Sequence, residues 1–257
     1  MKKVWYVLLL VSALVGDETA FVGAGPYVQS QPYKKADPVV LASPVVIFDN
    51  SLFYVRWTRL GVYFAGSKSE TSSWGLSFTA QPQILGYYET APFNQLNPRA
   101  ATPILHGMKE RESSWEGGLS AVYSRGAWFA EALAMYDLFG IYDGLKVRLE
   151  TGRSFKTGRW YFLPSVLAVW LSQPFANYYF GVESGEADAT LGRNAYRAPA
   201  ALNLAAQIYV KYAFSPHWQT LLNARVDVLS PSITHSPLVG ASTMTTGMIS
   251  LLYAFEY

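Results

Sequence analysis

The sequence contains no cysteine among its 257 residues. Without thiols the chain can form neither disulfides nor thiolate metal sites. It also cannot be a lipoprotein, because lipid attachment after export requires a cysteine at the cleavage point. A chain without thiols avoids mispairing in an oxidising compartment, so this absence suits an exported protein.

Charge and long apolar runs are scarce as well. Charged residues make up 15% of the chain, against about 25% in an ordinary soluble domain. The net charge of +2 does not suggest a nucleic-acid partner. No run of about 18 apolar residues follows the N-terminal segment, which excludes a transmembrane helix. The three histidines are scattered without metal-ligand spacing, so no metal or cofactor is expected.

What the chain has instead is aromatic side chains, which make up 16% of its residues and include 18 Tyr and 8 Trp. An exported, aromatic-rich and charge-poor chain without a spanning helix is either a secreted β-sandwich or an outer-membrane β-barrel. In a barrel the apolar strand faces meet lipid and the polar faces line the interior. The period of the strands therefore decides between the two.

The N-terminus has the features of a secretory signal. A basic pair at Lys2 and Lys3 precedes an apolar stretch over residues 4–15, which is too short to span a bilayer as a helix. We expect residues 1–20 to form a cleaved signal peptide, with cleavage between positions 13 and 20. A buried N-terminal helix or strand is the less favoured alternative. Residues 21–257 are then a single β-barrel domain.

Apolar and polar residues alternate along many segments. The clearest pair is 201–212 and 217–228, which are joined by the turn signal Ser215-Pro216 and predict a hairpin of two long strands. Each has one apolar and one strongly polar face. The further predicted strands are 21–28, 39–48, 52–57, 61–65, 74–83, 115–124, 128–136, 145–153, 159–171 and 249–257.

This pattern predicts an all-β fold, a closed antiparallel transmembrane β-barrel of about twelve strands. Ten strands is the alternative, because residues 52–65 could form one bent strand. Lipid offers backbone groups no hydrogen-bond partner, so the sheet must close. The long links, at 87–114, 173–198 and 230–242, are expected on the outer side and the short turns in the periplasm.

The last strand carries aromatic residues at every second position, Tyr253, Phe255 and Tyr257. This ending is typical of the signal that the barrel-assembly machinery reads. The expected location is the outer membrane of a Gram-negative cell envelope, where lipid and lipopolysaccharide surround the barrel. An ordinary terminal strand of a sandwich is the alternative reading.

Charged residues on the polar strand faces are predicted to line the lumen. These are Arg56, Glu116, Glu131, Lys146, Arg148, Glu150, Lys211, Arg225 and Asp227. We favour a network of mixed sign that fills a narrow lumen, because buried charges need partners. The alternative is the selectivity lining of a small pore, with weak anion preference because basic residues slightly outnumber acidic ones.

No catalytic site is predicted, and we expect no enzymatic activity. A His-x-Ser spacing would place both side chains on one strand face. His235 is followed directly by Ser236, whereas Ser215 and His217 fall in a predicted turn, and His106 lies in an outer loop.

Two stretches carry a family resemblance. The run GMKERESSWEGGLSAVYSRG from Gly107, and ANYYFGVESGEA from Ala176, resemble the MipA/OmpV family of MltA-interacting proteins. The resemblance covers most of the mature chain and is most specific in its second half. The family's acidic loop after the first strand is poorly matched, since residues 29–36 carry Lys34 and Lys35 instead.

The resemblance implies an outer-membrane barrel that in some members is a scaffold between a murein transglycosylase and a murein synthase, which act on peptidoglycan. Such a structural and scaffolding role is the expected function. One alternative is a narrow pore or osmotic-response porin with a charged lumen. Another is a surface adhesin that works through loops 87–114 and 173–198.

Overall fold

The structure, a computed structural model, describes residues 19–50, 52–88, 91–92 and 102–256. In this part of the chain, no helix has the length and apolarity needed to cross a membrane. The proposed signal peptide lies almost entirely outside the described residues. The first strand begins at Thr19, inside the interval in which cleavage was expected.

Twelve strands form the barrel wall in the described residues. They are β1 (Thr19–Gln29), β2 (Val39–Asp49), β3 (Phe53–Arg56), β4 (Arg59–Lys68), β5 (Ser72–Gln83), β6 (Ser114–Arg125), β7 (Trp128–Asp137), β8 (Leu145–Arg153), β9 (Trp160–Leu171), β10 (Ala201–Ala213), β11 (Trp218–Val228) and β12 (Thr243–Glu256). All neighbouring strands pair antiparallel, and β12 pairs with β1, so the ring is closed. The prediction of a closed antiparallel twelve-strand barrel is confirmed.

The alternative count of ten strands is wrong, because residues 52–65, considered as one bent strand, form a hairpin. Its strands, β3 and β4, pair from Phe53 with Val62 up to Arg56 with Arg59. A two-residue turn, Trp57-Thr58, joins them. A short strand, Phe155–Thr157, pairs with β9 and extends the β8–β9 hairpin at its turn.

Alternation along each strand separates lipid from lumen. In β7 buried and exposed residues alternate throughout: Phe129, Glu131 and Leu133 point inward, whereas Trp128 and Tyr136 are exposed. Outward positions of the other strands are mostly apolar. This is the pattern of a wall with lipid on one side and a filled interior on the other.

The links differ in length at the two ends of the barrel. Turns of a few residues join β2 to β3, β4 to β5, β6 to β7, β8 to β9 and β10 to β11 at one end. At the other end, long loops contain the helices α1 (Gln173–Phe180) and α2 (Pro231–Thr234). They also contain 3-10 turns at Pro103–Leu105, Ser184–Glu186 and Ala189–Leu191, and a small ladder between Tyr87–Tyr88 and Ala91–Pro92. This asymmetry agrees with the predicted topology.

Exposed aromatic side chains mark both rims of the wall. At the short-turn end they are Trp74, Tyr123, Trp128, Trp160, Trp218 and Phe255. At the long-loop end they include Trp115, Tyr136 and Trp170. Such belts lie at the two membrane interfaces. Of the proposed assembly signal, Phe255 is exposed and Tyr253 partly exposed, whereas Tyr257 lies outside the described residues.

Candidate binding lumen

A cavity of about 380 Å³ lies inside the barrel. Charged side chains form its wall, apolar side chains form a floor toward the short turns, and folded loops form a cap at the opposite end. Ligand cavities commonly have volumes of roughly 300–1,000 Å³. The cavity is therefore large enough for a small molecule.

Glu131 on β7 is the centre of the charged wall. Its carboxylate accepts two hydrogen bonds from Arg59 on β4, at 2.9 and 2.8 Å, and one from Arg148 on β8, at 2.6 Å. Arg56 Nη1 lies 3.7 Å from the same carboxylate. Strands β4 and β7 are not adjacent in the wall, so the contact between Arg59 and Glu131 crosses the lumen. One carboxylate thus compensates three guanidinium groups at a buried position.

The other predicted lumen charges pair around this centre. Arg148 also contacts Glu150, at 3.0 Å, and Lys146 forms an ion pair with Glu116. Arg225 and Asp227, two residues apart on β11, form their own pair at 2.5 Å. Arg56 is held by Asp49 at 3.0 Å. Eight of the nine predicted residues thus lie in ion pairs inside the barrel.

The ninth, Lys211, lies apart in the floor. It is 2% exposed, and its Nζ is 5.3 Å from the ring centre of Phe21 and 6.0 Å from that of Tyr161. Leu163 and Leu252 are also buried at this end. The lysine is held by aromatic faces, which attract cations, in place of a carboxylate.

Three cationic groups in the lining of the cavity keep a nitrogen without a hydrogen-bond partner among the described residues. They are Arg56 Nη1, Arg148 Nε and Lys211 Nζ, and all three residues line the cavity. Buried donors nearly always have an acceptor in proteins. Residues that line the cavity therefore carry buried positive donors without a partner.

The cap is an apolar cluster built from several long loops. Tyr33, Tyr87, Leu105, Phe175 and Ile233 are all nearly or fully buried within it. The segments predicted as outer loops, 87–114 and 173–198, thus pack onto the barrel mouth in their described parts. Their use by an adhesin stays a prediction, and much of their apolar surface is turned inward.

Buried polar contacts tie the cap segments together. Arg111 donates two hydrogen bonds to Glu186, both at 3.0 Å, and Arg193 donates to the carbonyl oxygens of Ile104 and His106 at 2.6 and 2.8 Å. Burial raises the pKa of Tyr33 well above its ordinary value, so its hydroxyl stays protonated. It donates to the carbonyl oxygen of Leu85 at 3.4 Å.

Sequence reasoning missed Asp49, Arg59 and the cap. The available signal for Arg59 was the alternation of Leu60, Val62 and Phe64, since all three point outward and the same period places Arg59 inside. Asp49 follows the predicted strand by one residue. The apolar cap residues follow no strand or helix period, so the sequence offered no comparable signal for them.

In the described residues, no group of three or more His, Asp or Glu side chains is placed to hold a metal ion. Eight of the nine predicted lumen charges form ion pairs, and three basic side chains that line the cavity keep a nitrogen without a partner among the described residues. The closed wall, lipid-facing apolar surface, aromatic rims and polar interior define a transmembrane β-barrel of the outer membrane.

A family model described as MltA-interacting protein MipA matches residues 22–255, so the chain belongs to the MipA family. Among curated proteins it is 26% identical over 209 residues to a putative outer membrane protein, YiaT, of Escherichia coli, covering 81% of this chain and 79% of that one. It is 24% identical over 171 residues to outer membrane protein OmpV of Vibrio cholerae, covering 66% and 65%. These relatives place the chain in the outer membrane, as predicted.

Solved structures of outer-membrane proteins resemble the chain distantly. An outer membrane channel from Pseudomonas putida F1 gives a TM-score of 0.43 at 9% identity, covering 94% of this chain and 97% of that one. OmpT of Vibrio cholerae gives 0.41 at 6% identity, covering 94% and 99%.

Proposed function

We propose that this protein binds a small organic anion in its lumen and conducts it across the outer membrane when the cap opens. The observation that carries the proposal is that Arg56, Arg148 and Lys211, which line the cavity, each keep a cationic nitrogen without a partner among the described residues. A carboxylate, sulfonate or phosphate group supplies the acceptors that these donors lack.

The charge of the cavity lining supports an anionic ligand. Six basic and two acidic side chains line it, since the carboxylates of Glu116 and Glu131 lie behind their cationic partners. The lining charges are Arg56, Arg59, Lys146, Arg148, Lys211, Arg225, Glu150 and Asp227. The apolar floor and cap, with Phe175 and Leu221 at the cavity, favour an anion that also has an apolar part.

Benzoate is a suitable probe, and benzamidinium is its counterpart of similar shape and opposite charge. Benzoate should raise the unfolding temperature of the purified barrel, because a ligand that binds only the folded state stabilises it by mass action. Lys211→Met should weaken this effect several-fold, while Met fills the apolar site beside Phe21. Lys156→Met, at an exposed turn position, is the control.

Two results would count against anion binding. One is equal stabilisation by benzamidinium, and the other is unchanged benzoate binding in the Lys211→Met variant. In planar bilayers, the reversal potential under a salt gradient should show anion preference. Cation preference would contradict conduction of anions even if benzoate binds.

A second candidate function is the scaffold between a murein transglycosylase and a murein synthase. The description of the matching family model, MltA-interacting protein, favours it. Such partners would meet the short-turn end, whose turns are only a few residues long. A stable interface buries about 800 Å² on each partner, so the aromatic rim beside the turns would have to contribute.

Crosslinking in intact envelopes tests the scaffold. The tagged protein should enrich murein synthases and lytic transglycosylases over other abundant barrels, and lengthening or changing the short turns should abolish that enrichment. Recovery of the barrel-assembly machinery and lipopolysaccharide proteins alone would remove the support for this candidate.

A further inference from the structure

We infer that the barrel wall has a lateral window between the β3–β4 hairpin and the long-loop end, through which an anionic amphiphile enters the lumen from the outer leaflet. The window follows from strand register. The β3–β4 hairpin ends at the pair Arg56–Arg59, whereas the strands on either side continue toward the long-loop end.

On one side, β2 continues from Ile47, which pairs with Arg56, up to Val39. Trp57 still donates to the carbonyl oxygen of Val46 at 2.9 Å. Beyond that bond, the edge of β2 that faces β3 has no ladder partner among the described strands. On the other side, the pairing of β5 with β4 ends at Ala80.

Loop contacts close the window at the top. Tyr33 donates to the carbonyl oxygen of Leu85, and Thr102 donates to that of Lys34. The turn residue Thr58 forms the lower border. In the described part of the chain the opening is thus framed by β2, β5, the hairpin turn and the cap.

The window leads into the cavity. The residues that border or adjoin it on the hairpin and on β5 line the cavity: Trp57, Thr58, Arg59, Gln81, Gln83 and Leu85. Thr58 is also an exposed residue. An unpaired strand edge at membrane depth is tolerated where it lines a water-filled or occupied space. Ile47, the paired residue of β2 next to this free edge, also lines the cavity.

The hairpin is held short by specific contacts. Trp57 has a φ of 59°, in the left-handed region that a bulky residue rarely adopts. Its ring packs 5.4 Å from that of Tyr27, and its Nε1 donates to Ser43 Oγ at 2.8 Å. These contacts fix the turn against β1 and β2 at the base of the opening.

The position and chemistry of the frame identify the ligand. Pro82, beside Gln81 and Gln83, pairs with Trp115 of the outer aromatic belt, which marks the interface of the outer leaflet. Outside, the frame is apolar, with exposed Val40 and Leu60. Inside lie basic groups. An amphiphile with a carboxylate or phosphate head and an apolar tail matches both surfaces.

The absence of natural cysteine allows a single label at each chosen site. We would label Thr58→Cys with a fluorophore in liposomes and add phosphatidylcholine that carries a nitroxide quencher. Leu119→Cys, on the lipid-facing side of β6, is the exposed control. Gln207→Cys, which lines the cavity from β10, is the internal control.

The label at Thr58 should be quenched to a similar extent as that at Leu119, and several-fold more than that at Gln207. A stearate with a nitroxide near its carboxylate should then also quench the label at Gln207. Lengthening the hairpin by two residues on each strand, or the milder Gln83→Trp, should abolish this entry.

Quenching of the Thr58 label by aqueous iodide but not by the lipid nitroxide would overturn the window. Unchanged entry of the stearate in both closed variants would overturn its role as a route. The inference rests on the proposed function only for the place where the head group binds. The opening in the wall does not depend on the proposed function. Loss of benzoate selectivity with intact lipid quenching would therefore refute the anion site alone.

Discussion

Replacing Glu131 by Gln should destabilise the barrel by about 3–5 kcal/mol, the usual cost of removing one partner from a buried ion pair. Gln keeps the volume of the side chain but removes the charge that compensates Arg59, Arg148 and Arg56. Arg59 alone donates two hydrogen bonds to this carboxylate, and a hydrogen bond to a charged group contributes about 1.5–3 kcal/mol. The expected loss of about 3–5 kcal/mol therefore does not require every contact of the Glu131 side chain to be lost.

The measurement is urea unfolding of the protein in lipid vesicles, followed by tryptophan fluorescence. Glu110→Gln, at an exposed position in the same chain, should change the free energy of unfolding by no more than about 0.5 kcal/mol. Combining Glu131→Gln with Arg59→Met should cost less than the sum of the two single changes, because the pair is coupled. A loss below about 1 kcal/mol for Glu131→Gln, as for a surface pair, would refute the view that this charge is desolvated.

The cap yields two further predictions. Arg111→Met should leave Glu186 buried without its ion-pair partner, loosen the cap and raise the frequency of open-channel events in bilayers. Lys109→Met, which removes only the exposed pair with Glu183, should not raise it. Equal conductance of the two variants would contradict the role of the cap as a barrier. Burial raises the pKa of Tyr33, so the neutral hydroxyl adds to the free energy of unfolding at every pH below the ordinary tyrosine pKa of about 10. That contribution is lost as the pH rises above this value, because the unfolded chain then releases the proton more readily than the folded one. The unfolding temperature of Tyr33→Phe should thus fall less steeply in alkali than that of the wild type, and parallel curves would refute the assignment.

The strands of the wall could be predicted from sequence because lipid and lumen impose opposite preferences on successive residues. This rule found β7 to within one residue of its observed end and placed Glu131 inside. It also allowed residues 52–65 to form one bent strand as an alternative, and it began the last strand at residue 249, whereas β12 begins at Thr243. Trp57 and Thr58 are not residues that typically signal a two-residue turn.

The partners of the lumen charges could not be predicted in the same way. Alternation assigns Glu131 and Arg59 to the interior, but only the stagger of the closed sheet brings β4 opposite β7. The cap depends on contacts between loops far apart in the chain, such as Arg111 with Glu186. Such contacts leave no local period, so the sequence predicted long outer loops but not their packing into a cap.

The seam between β1 and β12 has a consequence for how the barrel is made. Thr19 pairs with Glu256 and Gln29 with Thr246, so closure joins segments separated by nearly the whole sequence. Loop-closure entropy makes such pairing slow, and until it occurs the growing sheet carries two free edges that can pair with other chains. The interval before the last strand docks is therefore when this protein is most exposed to pairing with other chains, and slowing that step should favour aggregation over insertion.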